Sequence, residues 1–185
     1  MFIQTEGTPN PATLKFLPGC QVMKSGTANF ETADGAGTSP LAIRLFEIEG
    51  VTGVYLGADF ITATKAAEKE WDTLKPLILG AVMDHFTSGA PVMEGEQDVA
   101  ADDAGDGADG AIISQIKELL ETRVRPAVAQ DGGDIIFKKY EDGIVYLIMQ
   151  GACSGCPSSS MTLKSGIENM LRHYIPEIQE VREAD

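Results

Sequence analysis

The chain has 185 residues, of which 43% are hydrophobic and 23% charged, and its formal net charge is −14. This charge argues against nucleic acid and against an anionic membrane surface as partners, because both are bound through clustered Lys and Arg. No apolar run approaches the ~18 residues of a membrane span, and the first residues lack the pattern of a secretion signal or transit peptide. We therefore expect a soluble protein that is cytosolic or already processed.

An acidic segment divides the chain. Residues 94–110, EGEQDVAADDAGDGADG, include seven acids and no base. Such a sequence cannot bury enough apolar surface to fold, and repulsion between its carboxylates favours an extended tether. We predict an α+β protein with two small domains, residues 1–93 and 111–185, joined by a linker at 94–110.

The first domain is predicted to mix strands and helices. The expected elements are strands at 1–5 and 13–16, a short helix after the start signal Ser39-Pro40, a hairpin over 50–64 and a long helix over 68–88. His85 lies on the apolar stripe of the long helix, and we interpret it as a partly buried helix residue rather than a ligand. Nothing in this half suggests a catalytic site.

The second domain is predicted to have the order α-β-β-α-β. The expected elements are a helix from Ile112 that kinks or restarts at Pro126, a hairpin of strands 135–140 and 144–149, a helix after a cysteine-containing loop, and a third strand at 178–181. The segment DGGD at 131–134 is interpreted as a turn, in which Asp131 and Asp134 are turn residues.

The chemistry is expected at Cys153 and Cys156, in the segment GACSGCP at 151–157. Pro157 suits the first position of a helix, which would make Cys156 the N-cap. Both sulfurs would then face the positive end of the helix, where the thiol pKa is lowered and the metal-binding thiolate is favoured. We expect this loop to be accessible to solvent.

Three kinds of site use two cysteines at this spacing. A dithiol oxidoreductase requires the motif after a strand of a parallel β-α-β unit, whereas the strands before this motif are predicted to form an antiparallel hairpin. A closed zinc site requires four ligands. His173 would lie roughly 25 Å along the helix from Cys156, and Cys20 lies beyond the linker in a Pro-Gly turn, where we interpret it as an incidental thiol.

The shortage of ligands suggests a site shared between chains. Two copies related by a two-fold axis would bring four thiolates together, which is the number that holds a [4Fe-4S] or a [2Fe-2S] cluster. Cys153 and Cys156 are therefore the candidate cluster ligands in each copy.

Motifs in both halves resemble a known family. RP at 125–126, DGGD at 131–134, GACSGCPSS at 151–159 and TLKSGIE at 162–168 resemble the NifU C-terminal (Nfu) domain. In the first half, TPNP at 8–11, KF at 15–16, SPL at 39–41 and DFIT at 59–62 resemble the Nfu N-terminal domain of mitochondrial and related bacterial proteins. Together the resemblance covers nearly everything except the linker.

This resemblance implies an iron–sulfur scaffold or carrier rather than an enzyme. It implies a labile [4Fe-4S] cluster, or a [2Fe-2S] cluster, held by Cys153 and Cys156 in a cluster-bridged homodimer, with no catalytic residues. The expected partners are upstream cluster-assembly proteins and apo iron–sulfur clients, in the bacterial cytoplasm or the mitochondrial matrix. The resemblance assigns no role to Cys20 or to the linker, because neither lies within the matching motifs. A thiol–disulfide oxidoreductase that uses the same two cysteines remains the alternative.

Overall fold

The structure is a computed structural model, and it describes residues 1–95, 109–156 and 160–184. The chain divides into two compact units, Met1–Val99 and Ala100–Asp185. Each unit combines helices with a sheet, which confirms the predicted α+β class. Most of the predicted linker, 94–110, lies outside the described residues, so its extended form stays a prediction. Within the described ranges, no helix is both long and apolar enough to cross a bilayer.

The first unit is built on a five-stranded sheet. Its strands are β1 (Gln4–Gly7), β2 (Thr13–Leu17), β3 (Ala28–Phe30), β4 (Val51–Leu56) and β5 (Ile61–Lys65), and its helices are a 3-10 turn (Asp34–Thr38), α1 (Pro40–Phe46) and α2 (Trp71–Ser88). The strand order is β1-β2-β5-β4-β3, with antiparallel neighbours throughout. Both helices contribute to one core with the sheet, where Phe16, Ile61, Leu45 and Ile78 are fully buried.

Local signals determine several elements of this unit. The Ser39 hydroxyl accepts a hydrogen bond from the Ala42 N–H at 3.1 Å, which confirms Ser39 as the N-cap of α1. The hairpin of β4 and β5 is also as predicted. The first strand is displaced from 1–5 to Gln4–Gly7, because its partner is β2 in the register Gln4↔Leu17. The short edge strand β3 was not predicted, since a strand of three residues carries too little periodicity to recognise.

In the residues that the structure describes, the second unit has a smaller sheet and three helices. Its helices are α3 (Gly110–Leu119), α4 (Arg125–Gln130) and α5 (Ser160–Tyr174), and its strands are β6 (Gly133–Glu141), β7 (Ile144–Gly151) and β8 (Glu180–Glu183). The strand order is β6-β7-β8. This agrees with the predicted order α-β-β-α-β, if α3 and α4 are counted as one interrupted helix.

The interruption lies where Pro126 predicted a kink or a restart. Between α3 and α4 the backbone forms a π-helical turn over Leu120–Val124, and Pro126 lies in the first turn of α4. Proline has no N–H to donate to the preceding turn, so the regular α-helical hydrogen bonding cannot continue through it. After the break, Val128 is buried in the core, and α4 ends in the turn that leads into β6.

The pairing of β7 with β8 corrects one inference from the sequence. β6 and β7 form the predicted antiparallel hairpin, but β7 and β8 are parallel, in the register Val145↔Val181. The cysteine motif therefore follows the first strand of a parallel β7-α5-β8 unit. The topological argument against a dithiol oxidoreductase was wrong, because the short last strand returns beside β7 rather than beside β6.

Candidate metal centre

Both cysteines of the motif lie in the loop between β7 and α5, and both are buried. Cys153 is 5% exposed and Cys156 is 1% exposed, although Gly155 between them is exposed. Cys153 belongs to the hydrophobic core of the second unit. The expectation of a solvent-accessible loop is therefore wrong for the two thiols, because the loop folds its sulfur-bearing side chains inward.

Backbone hydrogen bonds hold the loop against the turn that precedes β6. The Ala152 N–H donates to the Gly132 carbonyl at 3.1 Å, and the Cys153 N–H donates to the Gln150 carbonyl at 3.3 Å. Gly155 has a φ of +64°, in the left-handed region where a side chain is disfavoured. The glycines of the motif thus allow a reversal tight enough to place both cysteines within one short loop.

Gly133 brings strand β6 into direct contact with the first cysteine. A Cβ atom at position 133 would lie 2.4 Å from the Cys153 Sγ and 2.9 Å from the Cys153 backbone nitrogen. No side chain fits at those distances, so glycine is required for packing rather than for its φ angle. Only the first half of the DGGD segment is a turn. Asp131 and Gly132 form the turn, and Gly133 and Asp134 begin β6.

Asp134 has a role that differs from the predicted one. It is 3% exposed, and its two carboxylate oxygens each accept a hydrogen bond from the Arg125 guanidinium, at 2.8 Å. The Ile135 N–H also donates to the Asp134 Oδ1. Arg125 forms a further ion pair with Glu121, and the hydrogen bond to Asp134 raises the pKa of the guanidinium. Asp131 is exposed, which agrees with its interpretation as a turn residue.

The surroundings of Cys153 hold its thiol in the protonated form. Burial, followed by the negative charges of Asp131 and Asp134 and the neighbouring Cys156, raises the pKa of Cys153 to about 12. This is opposite to the expected lowering by a helix N-terminus. Residues 157–159 lie outside the described residues, so the assignments of Cys156 as N-cap and Pro157 as first helical residue stay predictions.

The donor set is half of what a four-ligand site requires. Within the described residues, no group of three or more His, Cys, Asp or Glu side chains is arranged to hold a metal ion. His173 stacks edge-on against Tyr174 at the far end of α5, and Cys20 is exposed in the first unit. Two thiols in one short loop, which ionise when they bind iron, supply half of the four thiolates of an iron–sulfur cluster site.

Sequence reasoning missed two contacts of the second unit. Arg125, Gly133 and Asp134 lie within recognised motifs, yet nothing in their spacing shows that Arg125 pairs with Asp134 or that Gly133 touches Cys153. A buried acid is rare without a partner, so the only available signal was an acid in a strand-like position with an arginine nine residues before it.

Comparison with known proteins identifies both halves of the chain. Residues 3–89 match the family model for the N-terminal domain of the scaffold protein Nfu/NifU, and residues 116–182 match the model for the NifU-like domain. The human mitochondrial NFU1 iron-sulfur cluster scaffold homolog is 51% identical over 184 residues, which cover 99% of this chain and 72% of that protein.

A plant relative agrees with this identification, and one solved structure is similar to part of the chain. NifU-like protein 4, mitochondrial, of Arabidopsis thaliana is 53% identical over 186 residues, which cover 99% of this chain and 66% of that protein. The chain thus spans about two thirds of the length of these relatives. The solution NMR structure of a NifU-like protein from Saccharomyces cerevisiae is 29% identical, with a TM-score of 0.47 over 52% of this chain and 87% of that one. On the strength of the two family models and the human relative, the chain belongs to the NifU/Nfu family.

Proposed function

We propose that this protein binds an iron–sulfur cluster through Cys153 and Cys156 and passes it to apo-proteins, without catalytic turnover of its own. The observation that carries this proposal is the pair of buried thiols in one short loop, which are 5% and 1% exposed. The human relative is named an iron-sulfur cluster scaffold homolog, which supports the same conclusion.

The cluster is proposed to bridge two copies of the chain. Each copy contributes two thiolates, and a [4Fe-4S] cluster is held by four. A [2Fe-2S] cluster would use the same four sulfurs. The number of ligands per chain therefore favours a homodimer in which the cargo itself links the subunits, and release of the cargo separates them.

Loading and release are ligand exchanges without net oxidation or reduction. On loading, the S–H bonds of Cys153 and Cys156 break, the protons pass to solvent, and each thiolate forms a bond to iron. The raised pKa of Cys153 means that the apo-protein retains its proton at neutral pH. On transfer, thiolates of the acceptor replace these sulfurs at iron, and Cys153 and Cys156 take up protons again.

A thiol–disulfide oxidoreductase remains the second candidate because of one observation. The cysteine pair follows β7 in the parallel β7-α5-β8 unit, which is the setting in which dithiol enzymes carry their motif. The raised pKa of Cys153 opposes this function, because the attacking species in thiol–disulfide exchange is the thiolate.

Anaerobic reconstitution of the full chain tests the two candidates together. A carrier becomes brown when it is supplied with iron and sulfide, and it then loses its visible absorbance as an added apo iron–sulfur enzyme gains activity. An oxidoreductase instead stays colourless and reduces insulin disulfides in the presence of a thiol donor. Absence of a chromophore, together with insulin reduction, would contradict the carrier function.

The setting of this activity is proposed from the relatives. The human and Arabidopsis proteins are named as mitochondrial, which favours the mitochondrial matrix over a bacterial cytoplasm. The proposed partners are upstream cluster-assembly proteins and apo iron–sulfur clients. Immunopurification of the chain from fractionated cells, followed by identification of bound proteins, tests both expectations.

A further inference from the structure

One large apolar side chain near the cysteine loop is directed into solvent. Met161 lies in the first turn of α5, five residues after Cys156, and it is 79% exposed. The apolar side chains of α5 that pack inward include Ile167 and Leu171, which are buried in the core of the second unit. Met161 is two positions before Leu163 and lies off this inward face, so it does not contribute to the described core of the second unit.

A second exposed apolar residue on the same helix shows how Met161 differs. Tyr174, at the other end of α5, is 41% exposed, and the Arg123 guanidinium lies over its ring at 5.1 Å. Tyr174 is thus partly covered by its own chain. Met161 is almost fully exposed, and it lies at the end of the helix that joins the cysteine loop.

The half-complete ligand set determines which surfaces meet in a bridged dimer. Metal–sulfur bonds are only about 2.3 Å long in thiolate sites, and both thiols are buried within their own copy. Two copies can share one cluster only if the surfaces around their cysteine loops come into contact. In a two-fold arrangement the same patch meets itself, so the first turn of α5 from each copy lies at or near that contact.

Long-range electrostatics opposes the association of two copies. Each copy has a net charge of −14, so two copies repel each other at long range. A methionine side chain adds contact area without charge, and its flexible thioether adapts to an irregular surface.

We propose that Met161 is an apolar anchor of the contact between two copies of this chain around the shared cluster. This inference rests on the proposed function, because the second copy is required only if the cluster bridges two chains.

The test compares two methionine substitutions in the full-length protein. Met161→Gln removes the apolar side chain but retains its length, neutrality and helix propensity. Met83→Gln is the matched control, since Met83 is 41% exposed on α2 of the first unit. Wild type and both variants are loaded anaerobically with iron and sulfide, and sedimentation velocity over a dilution series gives the concentration at which half of the holo-protein is dimeric.

We expect the Met161→Gln dimer to dissociate at about tenfold higher protein concentration than wild type, because the apolar contact is lost from both copies. Met83→Gln should match wild type. If Met161→Gln leaves the concentration of half-dimerisation unchanged, the inference is overturned. If transfer to an apo acceptor is slower as well, Met161 contacts the acceptor rather than the second copy. Failure of the proposed function is distinguishable, because wild type itself would then acquire no cluster.

Discussion

The two units place the same thiol side chain in opposite environments. Cys20 of the first unit is exposed in a turn after Gly19, whereas Cys153 and Cys156 of the second unit are buried in a loop that packs into the core. Exposure would make Cys20 the more reactive thiol toward reagents in solution. Burial gives Cys153 and Cys156 a fixed position instead, and two fixed donors are what a metal cluster requires.

One buried titratable group in each unit shows a second difference. In the second unit, Asp134 accepts hydrogen bonds from the Arg125 guanidinium and from the Ile135 N–H. In the first unit, His85 is 1% exposed, and its Nε2 has no hydrogen-bond partner among the described residues. A fully satisfied polar group stabilises one arrangement of its surroundings, while an unsatisfied one costs stability. The hydrogen bonds of Asp134 therefore stabilise the junction of α4 and β6, whereas His85 lowers the stability of the first unit.

Replacement of either buried motif cysteine should have the largest effect on cluster binding, and replacement of the exposed Cys20 should have none. Cys153→Ser or Cys156→Ser should abolish stable cluster binding, because two ligands per chain leave no spare. Iron and acid-labile sulfide analysis after reconstitution measures the loss. Cys20→Ser is the control and should keep the full content. A Cys153→Ser protein with wild-type iron and sulfide would show that the ligands are elsewhere.

Loss of the buried carboxylate should destabilise the second unit. Asp134→Ala leaves the half-buried Arg125 without its main partner, and we expect the free energy of unfolding to fall by about 2–4 kcal/mol. Urea unfolding of the apo-protein measures the change. Glu141→Ala is the matched control, because Glu141 pairs with Lys139 at the exposed end of β6, at 2.7 Å, and its loss should leave unfolding unchanged. Equal effects of the two substitutions would contradict the structural role of Asp134.

The contact between Gly133 and Cys153 predicts an effect of a single methyl group. Gly133→Ala would place a Cβ 2.4 Å from the Cys153 Sγ, and we expect it to lower the free energy of unfolding by about 1–3 kcal/mol. It should also reduce cluster content, because the displaced sulfur no longer meets its partner thiolates. Gly166→Ala on α5 is the control, since nothing lies within 4 Å of its added Cβ. If Gly133→Ala loads iron as well as Gly166→Ala does, the close packing is not needed for the site.

His85 should give the first unit a modest dependence on pH. Burial and the positive charge of Arg44 lower the pKa of His85 in the folded state. As pH falls below the ordinary histidine pKa of about 6.5, the unfolded chain binds a proton that folded His85 does not. Stability is therefore lost toward acid and restored above that value. His85→Phe should reduce the difference in free energy of unfolding between pH 7.5 and 5.5.

The exposed His173 supplies the comparison for that measurement. His173→Phe removes the chain's other histidine and should leave the pH dependence of the first unit as in wild type. If the two substitutions changed the dependence equally, burial of His85 would not be its cause.

Much of the fold and the identity of the motif could be predicted from local sequence signals. Glu141-Asp142-Gly143 predicted the β6–β7 hairpin, where Asp142 and Gly143 both have positive φ. Pro126 predicted the break between α3 and α4. These features depend on the conformational preferences of a few neighbouring residues, so they are encoded locally.

The environment of the site could not be predicted in the same way. The burial of the two thiols, the raised pKa of Cys153 and the parallel pairing of β7 with β8 all depend on contacts between distant segments. A loop with small polar residues indicates exposure when it is taken alone. Only the packing of β6, through Gly133, shows that this loop is folded against the core.

The most direct test of the central claim measures mass and iron content on the same sample. Native mass spectrometry of the anaerobically loaded full chain should show a species of twice the apo mass, with about one four-iron cluster per two chains. Addition of an apo acceptor should return it to the monomer as the cluster leaves. A loaded protein that stays monomeric with a complete cluster would contradict the account, because ligands from outside the chain would then have to complete the site.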